Sequence, residues 1–244
     1  MLQEQLRTAL RNPLWVLIGA VQPILSLALF GPLLQRLVGG PGLGTGNAWQ
    51  VLVPGLLVQL SLFSTAFVGL AVIGELKAGI LERVQVTAVS RFALLAGRVL
   101  QSVVLLLGQC LLLVLAAVAF GLRVSPAGVA LSIALILVTA GATTALSYAV
   151  ALRIRDDFLL APLLNLVVVP LPLLSGVLLP LTLAPTWLKA ASRLIPFSYL
   201  VDASRQAFLG YYHAPEIRLA AVVSACYAAV ALIAGTHAFR RTGG

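Results

Sequence analysis

The sequence is poor in charged residues and in the residue types that carry out chemistry. Only 9% of its 244 residues are charged and 61% are hydrophobic, whereas a soluble domain usually has about 25% charged residues. A water-soluble core cannot bury that much apolar surface, so we expect a lipid bilayer around the chain. The two cysteines, Cys110 and Cys226, lie within apolar runs, which favours small buried side chains and implies no disulfide framework.

Residues suited to metal binding or catalysis are also scarce. The two histidines, His213 and His237, are far apart in the sequence, and neither suggests a metal site or a proton relay. Asp156 and Asp157 are adjacent carboxylates without a nearby histidine, a pattern typical of solvated charges or of charges that fix topology. No paired acids, Ser/His set or His-rich motif falls within an apolar run, which argues against an intramembrane enzyme. No acid at all falls within such a run, which argues against an ion-driven carrier.

A phosphate-binding loop is missing as well. The motif Gly-x-x-x-x-Gly-Lys-Ser/Thr needs a lysine after a glycine, and neither Lys77 nor Lys189, the two lysines of the chain, follows one. The chain is therefore predicted to have no ATP site of its own and not to be an enzyme. The net charge of +9 would suit a nucleic-acid partner, but basic residues scattered between apolar runs fit the positive-inside pattern of membrane proteins better.

The sequence does contain six apolar runs, each close to the roughly 20 residues that a membrane-spanning helix needs. They lie near residues 13–34, 49–73, 99–122, 127–152, 158–179 and 217–239. The fifth run contains several prolines, so kinks are expected there. The predicted fold is an all-α integral membrane protein with six transmembrane helices, in a single transmembrane domain over residues 1–244.

Lysine and arginine residues set the predicted orientation. With both termini in the cytoplasm, ten of the 16 basic residues fall in inner segments and six in outer ones, in agreement with the positive-inside rule. Residues 1–12 place apolar and charged side chains at helical spacing and predict an N-terminal amphipathic interfacial helix. Residues 38–46 are rich in glycine and predict a flexible loop.

Two further segments are neither spans nor simple loops. Residues 74–98 carry an isolated group of charges between uncharged runs, with apolar positions at helical spacing, and predict a cytoplasmic helix that contacts another protein. Residues 180–215 are apolar, are interrupted by prolines and are too short in each half to cross a bilayer. Two short helices, near residues 186–194 and 198–209, are predicted to form an outer re-entrant hairpin there.

Several motifs in these segments resemble one family of transporters. They are SGVLLP at 175–180, PTWL at 185–188 and IPFSYLVDASR at 195–205, preceded by Glu75, Gly79, Glu82 and TAVSR at 87–91. Their order and spacing resemble the permease subunits of type-2 ABC exporters, a family that includes daunorubicin-resistance-like drug exporters, lipid exporters and polysaccharide exporters. The resemblance covers the whole chain.

The resemblance implies partners and residue roles. A separate ABC ATPase subunit, in two copies, would bind ATP and Mg, so the permease itself would need no cofactor. A second permease copy is expected, so that the permease forms a homodimer in the plasma membrane. Membrane lipids are expected as further partners, and no nucleic-acid partner is expected. No catalytic or metal-ligating residue is implied. The implied ATPase-docking residues of the cytoplasmic coupling helix are Glu75, Gly79, Glu82, Arg83, Val89 and Arg91, and the outer-hairpin residues are Pro180, Trp187, Pro196, Tyr199, Asp202 and Arg205.

Simpler interpretations of the charged residues stay open. Glu82 and Arg83 either contact the ATPase or form a solvated interfacial face. Glu75 either holds the coupling segment against Arg98 or against the amphipathic N-terminal helix, or only marks the membrane interface. Asp202 and Arg205 are three residues apart and would share one helix face, as a local ion pair or as a latch of the hairpin.

Two classes of function follow. The first is ATP-driven export of an amphipathic drug-like or lipid-like molecule, with export of a polysaccharide or lipid-linked glycan as the alternative within the same family. The second class is ion-driven secondary transport. Amide side chains in the predicted spans would join helices or line a path, and an apolar path dotted with amides suits drugs or lipids better than sugars. These amides are Gln22, Gln59, Gln101, Gln109 and Asn165.

Overall fold

The computed structural model describes residues 13–37, 48–77, 91–154, 156–177 and 184–241. Every regular element within those ranges is a helix, and none of these residues belongs to a β-strand. The predicted all-α fold class is therefore confirmed. The predictions for residues 1–12 and for the loop at 38–46 lie outside the described residues.

The described ranges contain ten helices. They are α1 (Pro13–Leu37), α2 (Ala48–Ala66), α3 (Val68–Lys77), α4 (Arg91–Ala119), α5 (Pro126–Ile154), α6 (Asp157–Val168), α7 (Pro170–Leu174), α8 (Thr186–Ser192), α9 (Pro196–Phe208) and α10 (Pro215–Arg241). Four of the longer helices, α1, α5, α9 and α10, begin with proline. Proline suits this position because its fixed φ is already helical and the first N–H has no partner within the helix.

Five helical segments of the described chain are long and apolar enough to cross a membrane. They are Ala48–Glu75, Leu95–Ala119, Pro126–Ile154, Asp157–Leu174 and Pro215–Gly235. The remaining predicted run coincides with α1, but the described apolar stretch of that helix, Gly19–Gln35, is shorter than the other five. The protein is thus a multi-pass membrane protein, and a sixth crossing stays a prediction.

The helices extend further into the charged segment 74–98 than predicted. The helix α3 continues to Lys77 and α4 begins at Arg91, so Glu75 and Arg98 are helical residues. A hydropathy pattern places the end of a span at its first charge. No proline lies near these charges to end either helix. Long charged side chains near helix ends can reach polar surroundings or a partner, so each helix can continue past its first charge. Of the predicted coupling segment, residues 78–90 lie outside the described residues.

The predicted second run is interrupted by a turn at Phe67, between α2 and α3. The Ser147 hydroxyl of α5 donates a hydrogen bond to the Ala66 carbonyl oxygen and accepts one from the Gly69 N–H at 2.9 Å. A break at membrane depth is tolerated when a neighbouring helix satisfies the freed backbone groups in this way. Glycine is needed at position 69, because a Cβ atom there would lie 2.7 Å from the Ser147 carbonyl oxygen.

Helix α5 lies at the centre of the bundle and packs against α2, α3, α4, α9 and α10. Its buried residues are mostly alanine, glycine, serine and threonine, whose small side chains allow helix backbones to approach closely in membranes. At Gly128 a Cβ atom would lie 2.3 Å from the Ala207 carbonyl oxygen of α9. The backbones of α5 and α9 are therefore in contact, and this contact ties the 13-residue helix α9 to a candidate span.

The two short helices between residues 180 and 215 are α8 and α9, with a turn at 193–195. Each is shorter than the segments that are able to cross a membrane. Large apolar side chains cover the outer surfaces of the longer helices, with Leu115 of α4 exposed by 67% and Leu166 of α6 by 74%. Apolar surface of this extent fits a bilayer rather than water. The depth to which α8 and α9 enter that bilayer stays a prediction.

Candidate functional site

The charged residues with described side-chain contacts fall at two opposite ends of the bundle. Val51, near the start of α2, contacts Arg205 of α9, whereas Glu75, near the end of α3, contacts Arg98 of α4. Because α2 and α3 belong to one candidate span, these contacts lie at opposite ends of that span. We call them the hairpin end and the Glu75 end.

Arg205 is the central side chain of the hairpin end. It is only 9% exposed. Its Nε atom donates to the Val51 carbonyl oxygen at 3.2 Å, and its Nη2 atom donates to the carbonyl oxygens of Gly176 at 2.7 Å and Val177 at 3.3 Å. The rigid guanidinium fork presents several donors in fixed directions. Arg205 therefore joins α9 to the start of α2 and to the chain that follows α7.

Two of the carbonyl groups that Arg205 contacts, those of Gly176 and Val177, are available because the chain turns sharply after α7. Gly176 has φ of 68°, a left-handed conformation that glycine adopts with little strain. A Cβ atom at Gly55 would lie 2.0 Å from the Val177 carbonyl oxygen, so α2 has a glycine where this turn rests on it. Arg205 thus satisfies carbonyl groups just beyond the end of a helix, which would otherwise lack a donor.

The predicted pair of Asp202 and Arg205 is present, but it is loose. The Arg205 Nη1 atom lies 3.9 Å from Asp202 Oδ1, and the Asp202 side chain is 47% exposed. That distance is too long for a hydrogen bond. Burial lowers the pKa of Arg205 to about 10, so the guanidinium is still charged at neutral pH. Burial also raises the pKa of the Asp202 carboxyl, while the charge of Arg205 acts in the opposite direction.

The other predicted hairpin residues have separate positions. The Tyr199 hydroxyl donates to the Arg193 carbonyl oxygen at 2.8 Å and so bridges the turn between α8 and α9. Pro196 is the first residue of α9, and Trp187 of α8 is 67% exposed. Pro180 lies outside the described residues. The structure therefore groups the predicted polar residues along α9, and it leaves the tryptophan on the exterior.

Two ion pairs hold the Glu75 end together. Arg98 Nη2 donates to Glu75 Oε2, and both side chains are about one-quarter exposed. Lys77 Nζ lies 2.5 Å from Asp157 Oδ1 and 5.9 Å from the centroid of the Phe158 ring. Together these pairs connect the end of α3 to α4 and α6.

Asp156 and Asp157 are partly exposed charges, and each also makes a contact that was not predicted from the sequence. Asp156 is the N-cap of α6 and accepts a hydrogen bond from the Phe158 N–H at 2.9 Å, and Asp157 pairs with Lys77. An aspartate directly before an apolar helix is a signal for such a cap. The pairing with Lys77 joins residues 80 positions apart, and no sequence pattern indicates it.

Most of the predicted ATPase-docking residues lie outside the described part of the chain. These are Gly79, Glu82, Arg83 and Val89. Arg91 begins α4, and Glu75 has the partner Arg98 that was one of its two interpretations. The docking role of the whole set stays a prediction.

Buried hydroxyl groups along α5 were not recognised in the sequence. They belong to Ser132, Thr139, Thr143, Thr144 and Ser147. The Thr139 hydroxyl donates to Ser224 Oγ of α10 at 3.1 Å, and the Ser64 hydroxyl of α2 donates to Gln109 Oε1 of α4 at 2.8 Å. Hydrogen bonds of this kind join helices inside a membrane. A serine or threonine on most turns of an apolar helix is the sequence pattern that indicates such buried hydroxyl groups.

Acidic residues in the described part of the chain all lie at one or the other end of the bundle. They are Glu75, Asp156, Asp157, Asp202 and Glu216. In the same ranges, no group of three or more histidine, cysteine or acidic side chains is placed to hold a metal ion. The described interior of the spans is therefore lined by apolar, hydroxyl and amide groups.

The Glu75–Arg98 pair leads to a charge-exchange prediction. Glu75→Arg should destabilise the protein by about 1–3 kcal/mol, because it removes a hydrogen bond between charged groups and places two cations together. The double variant Glu75→Arg with Arg98→Glu should recover most of that loss. Thermal unfolding of the detergent-solubilised variants measures both effects. A double variant less stable than each single variant would show that the two side chains are not coupled.

These features define a class of protein, a multi-pass helical membrane protein with polar contacts at both ends of its spans. Residues 1–209 match the family described as ABC-2 type transporter. Because that match covers most of the chain, the protein belongs to this family and is a permease component of an ABC transporter. The resemblance described above is therefore confirmed.

One relative extends this comparison. A protein of Cyanophora paradoxa named "Putative transport permease ycf38" is 29% identical to this chain over 198 residues. The aligned region covers 80% of this chain and 68% of that protein.

Proposed function

We propose that the chain is the transmembrane subunit of an ATP-driven exporter. It moves an amphipathic drug-like or lipid-like molecule out of the cytoplasm or the inner leaflet of the plasma membrane, with both of its termini in the cytoplasm. Two copies of a separate ABC ATPase supply the energy and bind ATP and Mg, and two identical permeases form the pathway. The permease needs no cofactor and contributes no catalytic residue.

The observation that carries this proposal is the presence of two distinct polar ends on one bundle. An exporter powered by a separate ATPase needs a rigid contact surface at one membrane face and an exit at the other. At the Glu75 end, two ion pairs fix the helices on either side of residues 78–90. At the hairpin end, a buried arginine fixes α9 to the start of α2 and to the chain that follows α7.

The described interior supports an amphipathic substrate. Hydroxyl groups of α5 and the Gln109 amide lie among apolar side chains, and such surfaces suit molecules that are mainly apolar with a few polar groups. A polysaccharide or lipid-linked glycan is the alternative substrate within the same family. Carbohydrate recognition would require more polar groups than the described spans supply.

Energy coupling separates this proposal from ion-driven secondary transport. The permease is purified under native conditions with its bound ATPase and is reconstituted into vesicles, and a panel of drugs and lipids is tested for stimulation of ATP hydrolysis. Export should require ATP and persist after ionophores abolish all ion gradients. Export that continues without ATP and stops with the ionophores would establish the other class.

The proposed orientation gives a labelling prediction. In a variant lacking Cys110 and Cys226, a cysteine at position 45 should react with an impermeant thiol reagent added to intact cells. A cysteine at position 90 should react only after the cytoplasmic face is opened, because the basic residues near it favour that face. Mass spectrometry of the labelled protein measures both reactions. Labelling of Ser90→Cys in intact cells would reverse the whole orientation.

A further inference from the structure

A cleft of about 340 Å³ opens at the hairpin end, between α8, α9 and the start of α10. This volume lies at the small end of the range of about 300–1,000 Å³ that is typical of ligand sites. The cleft is therefore large enough for a polar headgroup and too small for a whole lipid. Nothing in the proposed transport function assigns a role to it.

The cleft carries charges of both signs, and they come from different elements. Lys189 belongs to α8 and Arg193 to the turn that follows it, whereas Asp202 belongs to α9 and Glu216 to the first turn of α10. An anion in the cleft would meet two carboxylates, and a cation would meet two basic groups. A ligand that carries both charges matches the whole lining.

Three of these charged groups, Arg193, Asp202 and Glu216, remain available for a ligand. Neither Arg193 nor Glu216 forms an ion pair with another described residue, and Asp202 has only the loose contact with Arg205 at 3.9 Å. The other donors of Arg205 are directed to backbone carbonyl oxygens. Burial is the main cause of the raised pKa of Asp202, and the nearby Glu216 carboxylate adds to it. A cationic group placed between these two carboxylates would relieve that repulsion.

An apolar surface adjoins the cleft. Leu219, which lines it, is 49% exposed, and the hairpin also presents Leu194 at 87% and Trp187 at 67% exposure. Hydrocarbon chains attached to a headgroup in the cleft would lie against such side chains and against the bilayer. The combination of a doubly charged cleft and an apolar surround is characteristic of a site for an amphipathic molecule.

We propose that this cleft binds a lipid-like molecule whose headgroup joins a phosphate to a primary ammonium group. Lys189 and Arg193 hold the phosphate, while Asp202 and Glu216 accept hydrogen bonds from the ammonium group. The ligand is either a lipid of the surrounding bilayer or the transported molecule. Because binding needs the permease alone, the proposal does not depend on the direction or the energy source of transport.

The test uses the full-length permease, purified and stripped of lipid in detergent, and short-chain phospholipids as probes. Native mass spectrometry measures the affinities for phosphatidylethanolamine, phosphatidylcholine, which has no ammonium N–H, and phosphatidylglycerol, which has no cation. Phosphatidylethanolamine should bind about tenfold more tightly than the other two, as expected for hydrogen bonds between charged groups.

Two variants test the contacts with the phosphate and with the ammonium group separately. Arg193→Gln should weaken binding of all three lipids by about tenfold, because each carries the phosphate. Glu216→Gln should abolish the preference for phosphatidylethanolamine and leave phosphatidylglycerol binding intact, which also shows that this variant is folded. Arg218→Gln is the matched control, since Arg218 is an exposed residue of the same helix as Glu216 and does not line the cleft.

Two results would overturn the proposal. One is equal affinity of the wild-type permease for the three lipids, and the other is identical binding by Glu216→Gln, Arg193→Gln and the Arg218→Gln control. A measurement of ATP hydrolysis then distinguishes a transported ligand from a lipid of the bilayer. A transported ligand should stimulate ATP hydrolysis by the reconstituted complex, with Glu216→Gln requiring about tenfold more of it. A bilayer lipid should bind in the same way without stimulation.

Discussion

Replacing Arg205 with alanine should sharply reduce the amount of folded permease. Its guanidinium is the donor to the carbonyl oxygens of Val51, Gly176 and Val177, and a buried acceptor left unsatisfied costs about 1–3 kcal/mol. Each kcal/mol of lost stability corresponds to a fall of about 2–4 °C in melting temperature for a protein of this size. Melting of the protein in detergent, together with the yield of extracted protein, measures the loss.

Two further variants test this explanation. Arg205→Lys keeps the charge, but a single ammonium group cannot reproduce the guanidinium fork, so its melting temperature should be intermediate. Asp202→Ala should change the melting temperature little, because the two charged atoms are 3.9 Å apart and Asp202 is half exposed. If Arg205→Ala instead folds normally and binds its ATPase but fails to export, Arg205 is a functional latch rather than an anchor. Normal folding and normal export of that variant would contradict both roles.

The helical class and most of the spans were predictable because they depend on composition. Five runs of apolar residues in the described chain do form helices long enough to cross a membrane, since a bilayer leaves the backbone few alternatives. Helix ends were predicted less well. Hydropathy alone starts the third run after Arg98, whereas α4 already begins at Arg91 and Arg98 pairs with Glu75 of α3.

The contacts that organise the two ends were not predictable. Arg205 and Val51 are 154 residues apart in the sequence, and the acceptor is a backbone carbonyl group, which every residue has. The turn at Phe67 likewise depends on the hydroxyl of Ser147 on another helix. The sequence indicates that Arg205 is a polar residue in an apolar segment, which marks it as a candidate, but only the packing of α2, α7 and α9 shows what it binds.

Charge reversal at Glu82 should have the largest effect on transport. Glu82 and Arg83 are the only charged residues of the segment 78–90, and this segment joins two helices whose ends are held by the ion pairs of Glu75 and Lys77. If the segment docks the ATPase, a reversed charge in a desolvated interface costs about 2–5 kcal/mol. Because every 1.4 kcal/mol or so is tenfold in affinity, Glu82→Lys should nearly abolish ATPase association and ATP-dependent export.

The permease itself should be unaffected by that change, and this separates docking from folding. The Glu82→Lys permease should match the wild type in membrane insertion, in yield after detergent extraction and in melting temperature. Affinity purification of this variant should recover far less ATPase. Arg123→Glu is the control for charge reversal, because it changes the net charge by the same magnitude, with the opposite sign, at the hairpin end, where the Arg123 carbonyl oxygen accepts a hydrogen bond from Gln50. That control should retain the ATPase. A Glu82→Lys permease that recovers the wild-type amount of ATPase and exports normally would show that the segment 78–90 does not dock through this carboxylate. If docking does use Glu82, replacing a basic residue on the ATPase surface with an acidic one should restore association with the Glu82→Lys permease. The same ATPase variant should not bind the wild-type permease more tightly.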